Sequence, residues 1–357
     1  MKEVFLGIFF ICLLAIGSRY PILEVVGKIT LFSCAIYCVI GKFVKDSFKL
    51  KLHDKFIALS IFLMLLWFLI RTINIEGIRL YLQFFLLIVF LYFLEIRLAG
   101  FKNIINLVVI IISIISMLYY WDVYEFFLNP NVGGIISLCI GFCAFIVNST
   151  KNRRFVIIVL TFILLLIWNS RSVLMGIILS TCIIWIYRKY RFGKLLLISF
   201  FVTIPILVYF LQGILDNYYT PNLDTIVLEY TGKNLDTGRL RIWSSIFQVM
   251  SFKSDLIGLG GGFNFWNLMD DKVSLHSGYI YLFASYGIIG LSLFSISVLL
   301  IILKCLKNKA YFSACLLLTF VFREFFEVTL VYNNMALALF FWGILAKGVL
   351  DKKCDLI

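Results

Sequence analysis

The sequence predicts an all-α polytopic membrane protein, and both its composition and its apolar blocks support this fold class. Of its 357 residues, 62% are hydrophobic and 14% are charged, and the mean hydropathy is +1.04. Soluble domains carry about 25% charged residues, so this composition excludes an ordinary soluble globule. The apolar residues are grouped in blocks of roughly 14–28, a length that can cross a bilayer as a helix.

About twelve such blocks are expected to be transmembrane helices, because most are apolar on all sides and lack an amphipathic stripe. The first is interpreted as a retained helix, since no small-residue cleavage site follows it. The approximate bounds are 4–17, 21–40, 56–70, 77–94, 103–119, 132–148, 155–167, 171–187, 195–213, 277–303, 310–325 and 330–347.

The net charge of +13 is explained by topology, and no nucleic-acid partner is expected. The basic residues concentrate in connections that all fall on one side of the twelve-helix arrangement. Cytoplasmic loops of membrane proteins carry an excess of Lys and Arg, so both termini are expected in the cytoplasm. These basic segments are 42–55, 151–154, 188–194, 304–309 and 347–353.

The opposite side holds one long polar loop, at about 214–276, within a single membrane domain that covers 1–357. Residues 238–250 of this loop predict a helix with one apolar face, which suits a position on the bilayer surface. The residues of that face are Leu240, Trp243, Phe247 and Met250.

The most informative motif is Thr237-Gly-Arg-Leu-Arg-Ile-Trp243, which His276 follows at the end of the same loop. Arginine grips phosphate with paired donors, and histidine is suited to moving a proton near pH 7. At 100° per residue, Arg239 and Arg241 lie about 200° apart on a helix, so only one is expected to face a ligand. The motif therefore suggests chemistry on a phosphorylated lipid at a membrane surface.

Arg171 and Arg323 are predicted at helix ends on the same face of the membrane as Arg239 and His276. An arginine within a membrane segment is costly and is usually functional. The alternative for each is a side chain that reaches out to the interface. For Arg323 a further alternative is simple neutralisation by Glu324 or Glu327.

Other polar residues have structural interpretations. Asn131 follows Pro130 at the start of the sixth block, where both residue types suit a helix N-terminus. Tyr279 lies beside His276, whereas His53 is interpreted as a solvated residue in a basic stretch. No metal site is predicted, since no Cys/His zinc spacing is present, and the adjacent Asp270 and Asp271 are interpreted as a solvated turn.

Taken in order, these motifs resemble the O-antigen polymerase and O-antigen ligase superfamily of bacterial inner membranes. The strongest part of the resemblance covers about 238–293. The motifs that carry it are Asn-Pro-Asn (129–131), Ser-Arg (170–171), Gly-Arg-x-x-x-Trp (238–243), Gly-x-Gly-Gly-Gly-Phe (258–263) and His-Ser-x-Tyr leading into Tyr-Gly-x-x-Gly (276–290).

The resemblance implies a metal-independent, C-type membrane glycosyltransferase without a cofactor, which acts on glycans carried by undecaprenyl pyrophosphate at the periplasmic face. It assigns pyrophosphate binding to Arg171 and Arg239, with Arg323 added because it maps to the same face, and places His276 near the acceptor hydroxyl. Arg241, Tyr279, Asn131 and Glu324 are the supporting candidates. Ser277 stands where the family often has Asn. The expected partners are membrane lipids, a chain-length regulator and a flippase.

The first interpretation of function is therefore a polymerase for O-antigen or capsular polysaccharide. A ligase that transfers glycan to lipid A–core requires the same donor site and remains the nearest alternative. A transporter of anions or lipid-linked sugars is the alternative from another class. It predicts charges near the bilayer midplane and inverted repeats, and neither is found in the sequence.

Overall fold

The computed structural model describes most of the central part of the chain, and this part is helical. The described residues are 22, 25, 26, 29, 55–75, 77, 78, 81, 102–123, 127, 130–148, 150–190, 192–218, 239–263, 265 and 276–327. Thr72 and Gly261 form an isolated parallel bridge within the described part of the chain.

Ten helices are defined in the described residues. They are α1 (Lys55–Ile70), α2 (Lys102–Tyr120), α3 (Pro130–Val147), α4 (Lys151–Ile167), α5 (Arg171–Lys189), α6 (Gly193–Tyr218), α7 (Arg239–Val249), α8 (Phe252–Ile257), α9 (Gly278–Lys307) and α10 (Tyr311–Arg323).

The helices are those of a multi-pass membrane protein. Four of them, α2, α5, α6 and α9, are long and apolar enough to cross a bilayer, and α1, α3 and α10 are shorter apolar helices. Large apolar side chains remain exposed on their outer faces, as expected where lipid replaces water. The all-α class is confirmed for the described residues. The predicted blocks at 4–17, 21–40, 77–94 and 330–347 lie wholly or largely outside them, so the count of twelve stays a prediction.

Helix α9 is the central helix, and it is broken at Gly287, whose φ of 69° ends the first helical segment. The break frees carbonyl groups that need donors, because an unsatisfied backbone group inside a membrane costs several kcal/mol. The Leu259 and Gly260 amides donate to Ala284 and Ser285, and Trp67 Nε1 donates to Tyr286. The glycine-rich segment 258–263 therefore packs as a strap against the broken helix.

Arg71 holds this strap from the other side. Its Nε and Nη2 atoms donate to the carbonyls of Ile257 and Gly258, both at 2.9 Å, and its own carbonyl accepts from the Gly261 amide. A planar guanidinium can serve two carbonyls at once. No role for Arg71 was predicted from the sequence, in which it lies between the apolar blocks 56–70 and 77–94.

Helices α5 and α10 pack antiparallel through small and polar residues. Gly176 lies against Thr319, whose hydroxyl donates to Ser180, and Thr181 contacts the Cys315 sulfur further along. At the far end, the Arg188 guanidinium covers the Tyr311 ring at 4.7 Å. The start of α5 and the end of α10 consequently lie at the same end of the bundle.

Helix α7 confirms the predicted helix at 238–250 but differs in its environment. Phe247 and Met250 are buried in the protein core, and the Phe247 ring contacts Phe283 of α9. Packing against α9 removes this apolar face from water more completely than a position on the bilayer surface would. Helix α6 also continues to Tyr218, past the predicted start of the loop at 214.

Candidate functional site

Five chain segments converge at one end of the bundle. The turn between α4 and α5 packs on the start of α3, since Gly133 and Gly134 lie against Trp168 and Ser170. The start of α9 joins the end of α10, because the Gly278 amide donates to the Glu324 carbonyl at 2.9 Å. The start of α7 reaches the same place through Arg239.

A carboxylate, Glu327, lies where these segments meet. Its Oε1 atom accepts a hydrogen bond from Asn131 Nδ2 at 3.0 Å and is 3.8 Å from Arg239 Nη2. Its Oε2 atom is 4.0 Å from His276 Nδ1. We call Asn131, Arg239, His276 and Glu327 the Glu327 cluster.

The backbone around His276 is specialised. His276 has a φ of 50°, in the left-handed region that non-glycine residues seldom adopt. Ser277 follows as the N-cap of α9, where its side chain accepts from the Ile280 amide. This conformation turns the chain sharply into α9 and holds the imidazole at the helix entrance. Residues in rare backbone conformations concentrate at functional sites.

The imidazole of His276 is suited to accept a proton. Partial burial lowers its pKa below the ordinary 6.5, Glu327 acts in the opposite direction, and Arg239 lowers the pKa further. Because the lowering prevails, His276 is neutral at pH 7. About a third of the side chain remains exposed, so a ligand can reach it.

Arg323 and Glu324 lie behind the cluster and are buried. Arg323 is 5% exposed and interacts electrostatically with both Glu327 and Glu324, so it does not reach out to the interface. The Glu324 carboxylate fills the space where a side chain at Gly278 would stand. Its carbonyl also accepts from the Ser277 hydroxyl at 3.2 Å. Glu324 and Glu327 therefore both act electrostatically on Arg323, and Glu327 also contacts the other three residues of the Glu327 cluster.

Arg171 lies at the same end of the bundle and is exposed. It is the first residue of α5, and its Nε donates to Asn169 Oδ1 at 3.3 Å rather than to the Glu327 cluster. Arg171 lies five residues before Gly176, which contacts Thr319 of the antiparallel helix α10. Arg171 is therefore level with the end of α10. Its guanidinium therefore keeps most of its donors for a ligand.

Of the supporting candidates, Tyr279 joins two helices, whereas Asn131 belongs to the Glu327 cluster. The Tyr279 hydroxyl donates to the Val321 carbonyl at 2.7 Å, and its ring packs on Phe325, so Tyr279 joins α9 to α10. Asn131 both follows the first residue of α3 and holds Glu327, which the helix-start interpretation alone does not explain. The side chain of Arg241 and both residues of Asp270-Asp271 lie outside the described part of the structure.

Glu327 is the residue of this cluster to which sequence analysis gave only a neutralising role. Its sequence signal was weak: an acidic residue between two apolar blocks, four positions after Arg323. The structure shows that it contacts residues from α3, α7 and the entrance of α9. Together the cluster and Arg171 present fixed cationic donors and a neutral imidazole, an arrangement suited to binding an anion beside a proton acceptor.

Residues 156–295 match the family model Wzy_C, described as O-antigen ligase. The match covers less than half of the chain and supports a relationship to the O-antigen polymerase and ligase superfamily. Members of the superfamily are membrane glycosyltransferase-like enzymes of O-antigen and lipopolysaccharide biosynthesis. Searches of curated proteins and of solved structures return no significant match.

The superfamily match contains the cationic and imidazole part of the site. Arg171, Arg239 and His276 lie within the matched residues 156–295. Asn131 and Glu327 lie outside them, as do Arg323 and Glu324. The tertiary structure therefore adds to the matched segment a carboxylate that the match itself does not include.

Proposed function

We propose that this O-antigen superfamily protein is a polysaccharide polymerase of the bacterial inner membrane. It transfers a growing glycan from undecaprenyl pyrophosphate to the non-reducing end of a lipid-linked repeat unit at the periplasmic face. The observation that carries this proposal is the convergence of Arg239 and His276 on one carboxylate at one end of a membrane bundle. The superfamily match supports a lipid-linked polysaccharide as substrate.

In the proposed step, the acceptor hydroxyl oxygen attacks the anomeric carbon of the donor. A glycosidic carbon–oxygen bond forms while the bond from that carbon to the pyrophosphate oxygen breaks. The acceptor proton passes to neutral His276, and the lipid pyrophosphate leaves with the bonding electrons. General base catalysis of this kind contributes about 10²–10⁴-fold.

The arginines stabilise the leaving group in this mechanism. Arg171 is exposed and Arg239 is partly exposed, so both are assigned direct contact with the pyrophosphate. Arg323 is buried, and its charge supports the site from behind Glu327. Preorganised cationic donors in a low-dielectric site are often the largest contribution to rate, and here they are proposed to replace a divalent ion.

Ligase activity is the second candidate, because the matched family model is described as O-antigen ligase. A ligase uses the same lipid-linked donor and the same charge stabilisation. The difference lies in the acceptor, which is lipid A–core instead of a second repeat unit. A chain-length regulator and a flippase are proposed partners of the polymerase.

The decisive experiment is the glycolipid profile of a strain that lacks this gene, resolved on a silver-stained gel. Core carrying a single repeat unit is the result expected for a polymerase, since ligation continues. Bare core with polymer accumulating on the lipid carrier would identify the ligase. A normal ladder with the capsule intact would contradict both functions, whereas a normal ladder with loss of capsule would assign the polymerase to capsular polysaccharide.

A further inference from the structure

We infer that Glu327 is a positioning residue of this site, which holds His276 and Arg239 toward a common substrate position. The inference rests on the proposed roles of those two residues. The inference adds to these roles a carboxylate that lies outside the superfamily match, because the match ends at residue 295.

The contacts of Glu327 come from three separate elements. Asn131 belongs to the first turn of α3, Arg239 is the first residue of α7, and His276 precedes α9 by two residues. Glu327 itself follows α10. One carboxylate therefore connects four segments that are distant in sequence, and the Asn131 hydrogen bond alone spans 196 positions.

The distances show that Glu327 makes one hydrogen bond and two longer electrostatic contacts within the cluster. The Asn131 amide, at 3.0 Å, makes a hydrogen bond that fixes the carboxylate. The separations of 3.8 Å to Arg239 and 4.0 Å to His276 exceed hydrogen-bond length but lie within ion-pair range. Glu327 therefore orients the guanidinium without occupying its donors, and these remain for pyrophosphate.

The charge of Glu327 also balances the cluster. Arg239 and Arg323 face the carboxylate, and Glu324 is a second carboxylate, buried beside Gly278. Without Glu327, two guanidiniums would share a partly buried site in which Glu324 is the acidic group that remains among the described residues. Removing one member of such a group is costly because it leaves an uncompensated charge.

The position of Glu327 determines which nitrogen of His276 acts as the base. Glu327 Oε2 faces Nδ1, so its negative charge favours the tautomer with the proton on Nδ1. Nε2 then carries the lone pair and is available to the acceptor hydroxyl. When His276 takes the proton, Glu327 stabilises the imidazolium, as a buried carboxylate does in other base-orienting arrangements.

The test that is independent of catalysis is a histidine titration. The 357-residue chain contains two histidines, so ¹³C,¹⁵N-histidine-labelled protein in nanodiscs gives two ring signals, which His53→Gln assigns. In Glu327→Gln the pKa of His276 is expected to fall, because Glu327 raises it while Arg239 continues to lower it. An unchanged titration of His276 would overturn the inference.

Two comparisons separate positioning from general structural loss. Glu327→Asp keeps the charge, and it is expected to keep the His276 titration closer to the native one than Glu327→Gln does. Thr319→Val, on α10 but in contact with Ser180 of α5, is the packing control and is expected to leave the titration unchanged. A shift in Thr319→Val equal to that in Glu327→Gln would also overturn the inference.

Activity is then measured with lipid-linked repeat units extracted from the deletion strain. Glu327→Gln is expected to lower kcat by about ten-fold or more, the range for residues that orient catalytic groups. Its pH profile should move with the His276 titration. If the titration shifts as expected but His276→Ala still polymerises, the proposed base role of His276 fails, although Glu327 still sets the His276 titration. If His276→Ala is inactive but Glu327→Gln titrates and polymerises normally, the positioning role fails alone.

Discussion

At the scale of single residues, the site depends on guanidinium geometry and on the protonation state of one imidazole. Arg239 is held beside Glu327 at 3.8 Å, and His276 is half-buried with a lowered pKa. The sequence identified both residues from their chemistry and spacing. It did not identify Glu327 as their common contact, because a carboxylate between apolar blocks has many structural explanations.

Arg239→Lys tests whether paired donors are required. Lysine keeps the charge but offers a single compact ammonium, so bidentate phosphate binding is lost. We expect polymer to disappear from the glycolipid gel of a complemented deletion strain, with protein levels maintained. Arg188→Lys, at the opposite end of the bundle over Tyr311, is the matched control and should restore the ladder. A full ladder from Arg239→Lys would instead favour a transporter, for which a steering charge suffices.

The pH dependence of polymerisation tests His276. The base form is required, and burial lowers the pKa of His276, so the acidic limb of kcat/KM should lie below pH 6.5. The lowered pKa of His276 also makes the stability of the folded protein depend on pH. The unfolded chain binds a proton more readily than the folded chain, so stability should decrease as pH falls through 6.5 toward the lowered value. An acidic limb at or above pH 6.5 would exclude His276 as the base.

At the scale of secondary-structure elements, two junctions position the site. The first is the contact between the start of α9 and the end of α10, built on Gly278, Glu324 and Tyr279. The second is the strap of residues 258–263 against the broken helix α9, held by Arg71. Hydropathy predicts the helices on each side but carries no information about these junctions.

Gly278→Ala tests the first junction. The added methyl group would collide with the Glu324 carboxylate, and an overpacked core change of this kind costs about 1–3 kcal/mol. We expect a lower midpoint of thermal unfolding in detergent micelles and a reduced ladder in cells. Ser297→Ala, on the same helix but with only a local bond to the Leu293 carbonyl, should change neither. An unchanged midpoint of thermal unfolding for Gly278→Ala would show that the junction accommodates the added methyl group.

Arg71→Gln tests the second junction. The guanidinium hydrogen bonds to Ile257 and Gly258 are lost, each of a kind worth about 1.5–3 kcal/mol. Trypsin should then cleave faster after Lys253, which is exposed close to the strap, as followed by mass spectrometry. Arg188→Gln supplies the control with unchanged cleavage. Equal cleavage rates in both variants would show that the strap does not need Arg71.

At the scale of the whole molecule, the two ends of the bundle differ in character. The Glu327 cluster and Arg171 lie at one end, whereas Arg154, Arg188 and Lys189 lie at the other, beside aromatic rings. The positive-inside rule predicts that the second end faces the cytoplasm. The site would then face the periplasm, where lipid-linked repeat units are proposed to be joined.

Reporter fusions test this orientation. Alkaline phosphatase fused after Asn169, in the turn at the site end, should be active because it is exported. Green fluorescent protein fused after Tyr190, at the basic end, should fluoresce because it folds in the cytoplasm. The two reporters exchanged between these positions should both be inactive. The reverse pattern would place the site in the cytoplasm and contradict the proposed donor chemistry.

The sequence by itself predicted the membrane class, the approximate positions of the described helices except α8, and the candidate residues Arg171, Arg239 and His276. These features follow from hydropathy, helical spacing and side-chain chemistry, which are local properties of the chain. Only the tertiary structure decided that Asn131, Arg239 and His276 meet at Glu327 and that α7 packs in the core. Such contacts depend on which faces of the helices pack together, and blocks that are apolar on all sides do not specify this choice.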